Sequence, residues 1–469
     1  MMRTVEMPLW LLILILLFAA VTFASHFLFP SVRWFFRRRL ERAVERLNKS
    51  LERPIQPFKL ARRHDMIQRL IYDPQVSQAI ADHAHAKGIP ENVAFEDARR
   101  YAREIVPSFS ASAYFGFAIR AARGLSNALY NVRLIHHDEP ALRAIAPDAT
   151  VVFVMNHRSN MDYVLVTYLA AERSALSYAV GEWAQVWPLS RLIRAMGAYF
   201  IRRKTPDPLY SKVLARYVKL ATDAGVTQAM FPEGRLSLSG ALMPPKLGLL
   251  RYIINDFDPE GRDVVFVPVA LNYDRVLEDR VLVTAAKQGG RFRARIGVIA
   301  AKSLKLLWLR SLGRKHRFGH AAVSFGAPIS LHGLRAKTQG DLTIPLARSL
   351  NRRIGAIVPV LPVPLISWLF LSHGAMTRSE LAEAFSGLME RMPTANIQLP
   401  DGDPNKAITV ALAHLVGRGF LSVEKGVYHP MSDQAELLQF YANSIRHLIP
   451  GQDDKGAASS RKTVAQVGT

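Results

Sequence analysis

A histidine and an aspartate five residues apart form the pair in this chain most suited to acid–base chemistry. In the segment VVFVMNHRSNMDY, over 151–163, an apolar run ends before His157 and a helical pattern begins near Asp162. On one continuous helix this spacing would place the two side chains roughly 140° apart. We therefore predict that His157 lies in a turn after a strand and that Asp162 begins the next helix. There the carboxylate can accept the imidazole N–H, leaving the other ring nitrogen free to take a proton from a hydroxyl.

An isolated pair of this kind also has a simpler interpretation, in which the aspartate caps a helix and the histidine is an ordinary loop residue. Three further blocks favour chemistry: GAYFIRR at 197–203, FPEGRLSLSG at 231–240 and VPVALNY at 267–273. The sequence contains no G-x-S-x-G segment, no glycine-rich phosphate-loop motif and no zinc-ligand spacing. It therefore predicts neither an acyl-enzyme nucleophile nor a metal site.

Charge and cysteine content limit the classes of protein to consider. The 469 residues include 61 Lys and Arg against 38 Asp and Glu, for a formal net charge of +23. Such a balance suits nucleic acid, an anionic membrane surface or polyanionic substrates. The absence of cysteine excludes disulfides and thiolate chemistry, and it fits a reducing compartment.

The N-terminal segment favours a membrane among these partners. Positions 8–29 form a run of about 22 residues without a formal charge except a possible one on His26, long enough to span a bilayer as a helix. Among basic residues Arg3 alone precedes it, whereas five follow closely: Arg33, Arg37, Arg38, Arg39 and Arg42. A cleaved signal peptide is the alternative, but these arginines would resist translocation. We expect a single-pass anchor in a bacterial inner membrane, with the body on the cytoplasmic side and the arginines near anionic lipids.

The rest of the chain divides by its pattern. Residues 33–130 read as a helical region, 131–335 as an α/β domain, 345–450 as a second helical region and 451–469 as a disordered polar tail. The α/β interpretation depends on short apolar runs that alternate with helical stretches, at 150–155, 227–234, 264–273, 293–300 and 321–330.

Two local patterns within these regions lead to separate expectations. A proline-interrupted apolar segment over 356–371 is too short for a second membrane span, and we expect it to pack in the core or dock at an interface. Pro268 interrupts the strand-like run 264–273, which suggests a sheet edge or a strand end.

Taken together, the four blocks resemble those of the glycerolipid acyltransferases in order and approximate spacing. NHRSNMD and GAYFIRR resemble specifically the glycerol-3-phosphate acyltransferase branch, as do the later stretches 358–381 and 437–449. The resemblance covers about 131–449. It implies an α/β fold with a central mixed sheet flanked by helices, in addition to the N-terminal transmembrane helix and the helical terminal regions.

The resemblance also implies an activity. Members transfer a fatty acyl group from acyl-CoA or acyl-carrier protein to a phosphorylated glycerol acceptor, and this branch uses glycerol 3-phosphate to make 1-acyl-glycerol 3-phosphate for phospholipid synthesis. No cofactor is implied beyond the acyl donor. His157 would be the base and Asp162 its orienting partner. The implied substrate-binding residues are Arg158, Arg203, Glu233, Gly234, Arg235, Ser237 and Lys246. Arg202 is a weaker candidate than its neighbour Arg203.

The third block departs from the family pattern. The usual order is E-G-x-R-S, but here Arg235 follows Gly234 directly and Leu236 stands where the arginine is expected. Lys246 is a candidate for the missing cation. Acceptors such as lysophosphatidate, dihydroxyacetone phosphate or another lysolipid therefore stay open.

Two alternatives lie outside this class. A nucleic-acid-binding protein is suggested by the net charge and by a helix-turn-helix-like pattern over 376–392 and 408–430. The candidate recognition helix, however, carries only His414 and Arg418, so we expect no nucleic acid as a partner. A catalytically silent membrane scaffold that retains the fold is the other alternative.

Overall fold

The computed structural model describes most of the chain. The described residues are 8, 10, 12–17, 42, 44–49, 51–170, 174–181, 184–186, 189–202, 207–255, 257–288, 318–392 and 396–450. The chain divides into two units, Met1–Ile55 with Glu172–Ser174, and Gln56–Ala171 with Ala175–Thr469. The second unit contains all the helices and strands described below.

A central sheet of eight described strands organises this unit. The order is β1-β7-β6-β2-β5-β3-β4, with β8 beside β6. Their bounds are β1 Asn131–His136, β2 Thr150–Met155, β3 Ser177–Gly181, β4 Tyr199–Ile201, β5 Gln228–Met230, β6 Val264–Tyr273, β7 His320–Phe325 and β8 Ile329–Ser330.

The sheet is mixed, as predicted. Strands β6, β2, β5, β3 and β4 are mutually parallel, β7 and β8 run antiparallel to β6, and β1 is parallel to β7. The carboxyl ends of the five parallel strands therefore meet at one edge of the sheet. In an α/β sheet, this edge is where side chains for binding and catalysis can converge.

Both faces of the sheet are covered by helices. Alternate residues of β2 belong to different apolar clusters: Val151 and Phe153 to one, Val152 and Val154 to the other. Successive side chains of a strand point to opposite faces, so each face has its own core. This explains why β2 is buried along its whole length and reads as a continuous apolar run.

Pro268 lies neither at an edge nor at a strand end, so that prediction is wrong. It sits inside β6, where Val154 of β2 is its partner on one side. On the other side, β8 pairs with residues 265–266 and β7 with residues 269–273. The proline thus occupies the position where β6 changes neighbours, and its missing N–H costs no ladder hydrogen bond there.

The helices before the sheet lie between residues 57 and 129. They are α1 Pro57–Leu60, α2 Arg63–Ile71, α3 Pro74–Lys87, α4 Glu91–Ile105 and α5 Ile119–Leu129, with a π-helix at Ser112–Ala118 directly before α5. Helix α3 shows why they form where they do. The Asp73 side chain accepts from the Gln75 N–H, Pro74 is the first helical residue, and Gly88 ends the helix in the left-handed conformation.

The remaining helices connect the strands and form the C-terminal region. They are α6 Glu139–Arg143, α7 Met161–Ala170, α8 Leu189–Ala195, α9 Pro208–Asp223, α10 Gly248–Ile254, α11 Asp279–Lys287, α12 Leu331–Arg335, α13 Thr343–Ala356, α14 Pro362–His373, α15 Arg378–Met389, α16 Pro404–Gly417 and α17 Ala435–Ala442. Short 3₁₀ turns occur at Pro400–Gly402, Ser432–Gln434 and Arg446–Leu448.

The C-terminal region, expected to be helical, also contains a small antiparallel sheet. Its strands are β9 Met376–Thr377, β10 Leu421–Glu424 and β11 Val427–Pro430, in the order β10-β11-β9. Strands of two to four residues are too short to give a clear alternating pattern in the sequence.

The apolar segment 356–371 packs in the core. It supplies most of α14, in which Leu365, Ile366 and Phe370 are buried in the same cluster as Val151. No helix among the described residues is long and apolar enough to cross a membrane. Of the anchor predicted over 8–29, the structure describes only 8, 10 and 12–17. The rest of the anchor, the strand expected over 293–300 and the tail 451–469 lie outside the described residues.

Gly240 fixes a close approach between the third sequence block and α17. Its φ is +79°, and a Cβ placed there would lie 1.8 Å from the Phe440 carbonyl oxygen. The Asn443 side chain also donates to the Ser239 carbonyl, at 2.9 Å. The C-terminal region thus packs directly on this loop, and only glycine fits at the contact.

We expect Gly240→Ala to lower the free energy of unfolding by more than about 2 kcal/mol, because both the backbone strain and the contact with Phe440 are unfavourable. Urea denaturation measures the loss. Gly124→Ala is the matched control. Gly124 lies within α5 with nothing within 4 Å of an added Cβ, so this change should stabilise by about 0.5–1 kcal/mol. If both substitutions changed the free energy of unfolding equally, the contact at position 240 would not require glycine.

Candidate active site

The loop between β2 and α7 carries the histidine and the aspartate. β2 ends at Met155 and α7 begins at Met161, so five residues connect a buried strand to a helix. The Asn156 side chain bridges to the backbone of β6: its amide donates to the Leu271 carbonyl, at 3.0 Å, and its oxygen accepts from the Leu271 N–H, at 2.8 Å. This pair of hydrogen bonds fixes the start of the loop to the neighbouring strand.

His157 and Asp162 meet in the geometry that their spacing predicts. His157 lies in the loop, Asp162 is the second residue of α7, and His157 Nδ1 is 2.9 Å from Asp162 Oδ2. Both side chains are buried, at 3% and 0% exposure. Among the residues that the structure describes, the second ring nitrogen, Nε2, has no hydrogen-bond partner. The pair therefore has the arrangement of a general base, with an oriented imidazole and one free nitrogen.

Asp162 accepts three further hydrogen bonds. The backbone N–H groups of Arg158 and Ser159 donate to Oδ2, at 2.7 and 3.0 Å. The Tyr273 hydroxyl, at the end of β6, donates to Oδ1, at 2.6 Å. Four donors thus surround a carboxylate that is fully removed from water, and hydrogen bonds of this kind stabilise the charged form. Burial, together with this same carboxylate, raises the pKa of Tyr273 well above its usual value, which keeps the hydroxyl protonated as a donor.

Aromatic rings enclose the imidazole of His157. Phe231 stacks on it with a centroid distance of 4.1 Å and an interplanar angle of 25°, and Tyr163 approaches edge-on at 5.4 Å. Phe231 and Tyr163 also contact each other, at 4.9 Å. The ring orientation is therefore set by packing as well as by Asp162.

The third sequence block holds the backbone of His157 from both sides. The Ser237 N–H donates to the His157 carbonyl, at 3.0 Å, and the His157 N–H donates to the Glu233 carboxylate. The Ser237 hydroxyl donates to the Ala241 carbonyl, at 2.7 Å. Glu233 and Ser237, both named as substrate-binding from the sequence, thus lie next to the histidine and position it.

Glu233 is an unusual carboxyl group. Burial raises its pKa to about 8, against the opposing effects of Arg158 and of the N–H groups of His157 and Met243. One carboxyl oxygen, Oε2, is buried without a hydrogen-bond partner in the described part of the chain. A buried oxygen of this kind is a position where a ligand hydroxyl can form a hydrogen bond.

Arg158 is buried and turned toward the C-terminal region. Its Nη2 donates to the Ser444 carbonyl, at 3.1 Å, and burial lowers its pKa to about 10. Asn272, near the end of β6, reaches the same region: its amide donates to the Pro359 carbonyl, at 2.8 Å, and lies 3.2 Å from the Ser444 hydroxyl. The guanidinium of Arg158 therefore fastens the loop to the C-terminal region instead of facing solvent.

The cations of the Glu-Gly turn are on the surface. Gly234 has a φ of +68°, and an added Cβ would lie 3.0 Å from Lys246 Cδ and 3.6 Å from its Nζ. Lys246 therefore crosses the turn, and its N–H donates to the Pro232 carbonyl, at 2.8 Å. Arg235 is exposed, and Leu236, which occupies the arginine position of the family pattern, is buried in the core.

The block at 197–203 is only partly described. Arg203 lies outside the described residues, although β4 ends at Ile201 on the edge where His157 is found. Arg202 is paired with Glu104, with Nη2 2.6 Å from Oε2, and its guanidinium lies over the rings of Tyr101 and Tyr210. Arg202 is thus occupied by the protein itself.

Sequence reasoning missed three contributors to this site. The block VPVALNY carried no predicted site residue, yet its Tyr273 donates to Asp162. Phe231 was counted only as a motif position. Glu278, at the start of α11, accepts from the Ser159 hydroxyl and from the Asn160 N–H, at 3.0 and 2.6 Å. Of these three residues, only Tyr273 could have been found from the sequence. It ends an apolar strand, and a tyrosine hydroxyl at a buried strand end needs a hydrogen-bond partner.

Comparisons with known proteins find similar sequences over most of the chain. Residues 134–272 match the Acyltransferase family model, and residues 304–450 match that of the glycerol-3-phosphate acyltransferase C-terminal region. The glycerol-3-phosphate acyltransferase of Pseudomonas entomophila strain L48 is 27% identical over 427 residues, covering 84% of this chain and 50% of that protein. That of Pseudomonas putida strain KT2440 is 28% identical over 423 residues, covering 83% and 49%.

The chain spans about half the length of the curated relatives it matches. A solved structure of the 1-acyl-sn-glycerophosphate acyltransferase of Thermotoga maritima has a TM-score of 0.32 and 16% identity, covering 51% of this chain and 75% of that one.

Residues 134–272, which carry the buried histidine–aspartate pair, thus resemble acyltransferases, and residues 304–450 resemble the C-terminal region of glycerol-3-phosphate acyltransferases. Over most of its own length the chain is similar to glycerol-3-phosphate acyltransferases.

We expect Tyr273→Phe to lower the free energy of unfolding by about 1–3 kcal/mol, because the buried Asp162 carboxylate then lacks one donor. Urea denaturation at neutral pH checks this value. Tyr72→Phe is the control, since Tyr72 is 65% exposed and its change should stay within about 0.5 kcal/mol. A Tyr273→Phe variant as stable as the control would show that the hydroxyl contributes nothing to the charged site.

Proposed function

We propose that this protein is a membrane-bound O-acyltransferase that moves a fatty acyl group from an acyl thioester to glycerol 3-phosphate. The donor is acyl-CoA or acyl-carrier protein, and the product is 1-acyl-glycerol 3-phosphate for phospholipid synthesis. The observation that carries the proposal is the buried His157–Asp162 pair with one free imidazole nitrogen. The names of the relatives support the choice of acceptor.

In the proposed reaction, His157 Nε2 takes the proton of an acceptor hydroxyl while the hydroxyl oxygen attacks the thioester carbonyl carbon. The C–S bond of the tetrahedral intermediate then breaks, and the thiolate leaves with the proton that His157 holds. Asp162 keeps the proton on Nδ1 and stabilises the imidazolium that forms between these steps. No covalent acyl-enzyme is needed, which fits a chain without cysteine.

The unpartnered oxygen of Glu233 supports a role in acceptor binding. It lies on the carboxylate that accepts the His157 N–H, so an acceptor hydroxyl bound there would be close to the base. Gly234 supports the same role indirectly, because its positive φ turns the chain at this point. Arg158 has one buried donor, Nε, without a partner among the described residues. We therefore assign Arg158 to acceptor binding together with Glu233 and Gly234.

The acceptor phosphate requires cations, and we assign them to Arg203, Lys246 and Arg235. Lys246 crosses the Glu-Gly turn, and Arg235 is exposed beside it. Arg203 keeps its assignment on the motif match alone. The membrane attachment is also part of the proposal: the uncharged run 8–29 is the anchor, and the arginines after it face anionic lipid on the cytoplasmic side of a bacterial inner membrane.

His157→Ala should lower kcat at least about 10²–10⁴-fold, because the general base is lost. Asp162→Asn should also be strongly impaired, since an amide that donates to Nδ1 leaves the proton on Nε2. Initial rates with palmitoyl-CoA and glycerol 3-phosphate measure both effects. His373→Ala, an exposed histidine at the end of α14, is the control and should retain full activity. A folded, fully active His157→Ala protein would refute the mechanism.

Lys246→Ala should raise the KM for glycerol 3-phosphate by about 10-fold or more, since a charge-assisted contact to phosphate is worth about 1.5–3 kcal/mol. Arg235→Ala tests the second cation in the same assay, and Lys337→Ala is an exposed control. If neither Lys246→Ala nor Arg235→Ala changes this KM, the phosphate is held elsewhere, and Arg203→Ala becomes the decisive variant.

Acceptor identity is tested directly with the purified protein. A panel of glycerol 3-phosphate, lysophosphatidate, dihydroxyacetone phosphate and a neutral lysolipid is offered with palmitoyl-CoA and with palmitoyl-acyl-carrier protein. We expect glycerol 3-phosphate to give the highest kcat/KM. Preference for another acceptor would keep the acyltransferase mechanism and correct the substrate.

A further inference from the structure

A second buried carboxylate is attached to the catalytic loop. Glu278 directly precedes α11 and is 3% exposed. It follows Ser159 by 119 positions in the chain, yet its Oε2 accepts from the Ser159 hydroxyl, at 3.0 Å, and its Oε1 accepts from the Asn160 N–H, at 2.6 Å. No sequence block or comparison assigns this residue a role.

Asp162 and Glu278 accept hydrogen bonds from successive backbone N–H groups of the loop. Asp162 accepts the N–H groups of residues 158 and 159, and Glu278 accepts that of residue 160. The Ser159 hydroxyl then accepts the N–H of Met161, at 3.1 Å, while it donates to Glu278. Four successive N–H groups are thus paired, and Glu278 secures the part of the loop that Asp162 does not reach.

We infer that Glu278 is a positioning residue of the acyltransferase site, which acts in its ionised form by holding residues 159–160 so that Asp162 meets His157. Its side-chain hydrogen bonds go to Ser159 and Asn160, so we place its action in the loop. This role rests on the proposed function, because its catalytic consequence requires that His157 be the base.

The hydrogen bonds favour the ionised form of Glu278. Both of its neighbours donate to it, and the Ser159 hydroxyl also accepts one hydrogen bond from the Met161 N–H. A protonated carboxyl would add a third donor to this group, with no acceptor assigned to it. The loop is therefore arranged for a carboxylate, as it is around Asp162.

Burial works against that ionised form. It raises the pKa of Glu278 to about 7, and the nearby Asp162 raises it further, while Asn160 and Ser159 oppose the shift. A carboxyl whose pKa is raised in the folded state stabilises the fold fully below its unfolded pKa, and this contribution is lost as the pH rises toward 7. The ionised fraction, and the loop geometry with it, therefore changes between about pH 6 and pH 8.

Glu278→Gln is the decisive variant because it keeps the shape and removes the charge. We expect kcat to fall about 10-fold with less than about a twofold change in the KM for glycerol 3-phosphate, since the base is misplaced but the acceptor contacts remain. Between about pH 8 and pH 6, the slope of log(kcat/KM) against pH should be steeper in the wild type than in Glu278→Gln, because protonation of Glu278 costs the wild type up to about 10-fold. Glu383→Gln, an exposed glutamate of α15, is the control and should match the wild type.

A double-mutant cycle with Ser159→Ala separates positioning from general destabilisation. The two residues share one hydrogen bond, so the loss of kcat in the double variant should be smaller than the product of the single losses. Wild-type kcat and slope in Glu278→Gln would overturn the inference, and so would fully multiplicative effects in the cycle.

Amide hydrogen exchange keeps this inference independent of the activity assay. In the full chain, the amides of residues 159–161 should exchange faster in Glu278→Gln than in wild type when both are measured at the same pH. If the wild type transfers no acyl group to glycerol 3-phosphate but shows this exchange pattern, the proposed function fails while the loop role of Glu278 stands. Unchanged exchange in the variant would refute the positioning role itself.

Discussion

The site depends on keeping a carboxylate charged where no water reaches it. Asp162 is fully buried, and removing such a charge from water costs several kcal/mol even after the protein relaxes. Four donors offset this cost: the His157 imidazole, two loop N–H groups and the Tyr273 hydroxyl. Hydrogen bonds to charged groups contribute about 1.5–3 kcal/mol each, so the four donors together offset a cost of this size. Hydrogen bonding to this one carboxylate therefore fixes the conformation of the loop, the tautomer of His157 and the position of Tyr273 at the end of β6.

Further hydrogen bonds fix the backbone of the loop that carries His157. Glu233 and Ser237 hold the backbone of His157, and Glu278 holds the loop on its other side. Burial raises the pKa values of Glu233 and Glu278, and the nearby Asp162 carboxylate raises both further. The proton is therefore held more tightly on these two carboxyl groups than in water.

The C-terminal region is part of the site. Arg158 donates to the Ser444 carbonyl, Asn272 contacts Ser444 and Pro359, and Gly240 packs on the Phe440 carbonyl. Residues from all of these contacts belong to one compact unit. The separate family matches over 134–272 and 304–450 therefore describe two sequence regions that fold around a single loop cluster.

The third block shows how a local departure in sequence is absorbed. Leu236 takes the place of an arginine and is buried in the apolar cluster, while Arg235 is displaced to the surface. Lys246, eleven positions beyond Arg235, crosses the turn instead. A shift of one residue in a turn reverses which side chain faces the core, so the pattern of the block alone does not say where its positive charge lies.

The sequence by itself determined the α/β class, the strands β2 and β6 to the residue, and the pairing of His157 with Asp162. These features depend on local patterns: apolar runs, turn residues and a spacing that only a strand–turn–helix can satisfy. Only the tertiary structure decided the roles of Tyr273, Glu278 and Ser444, the interior position of Pro268 and the small C-terminal sheet. Each of these depends on partners more than a hundred residues away or on strands of two to four residues, and the partner of a buried polar group is fixed by packing, which no local pattern records.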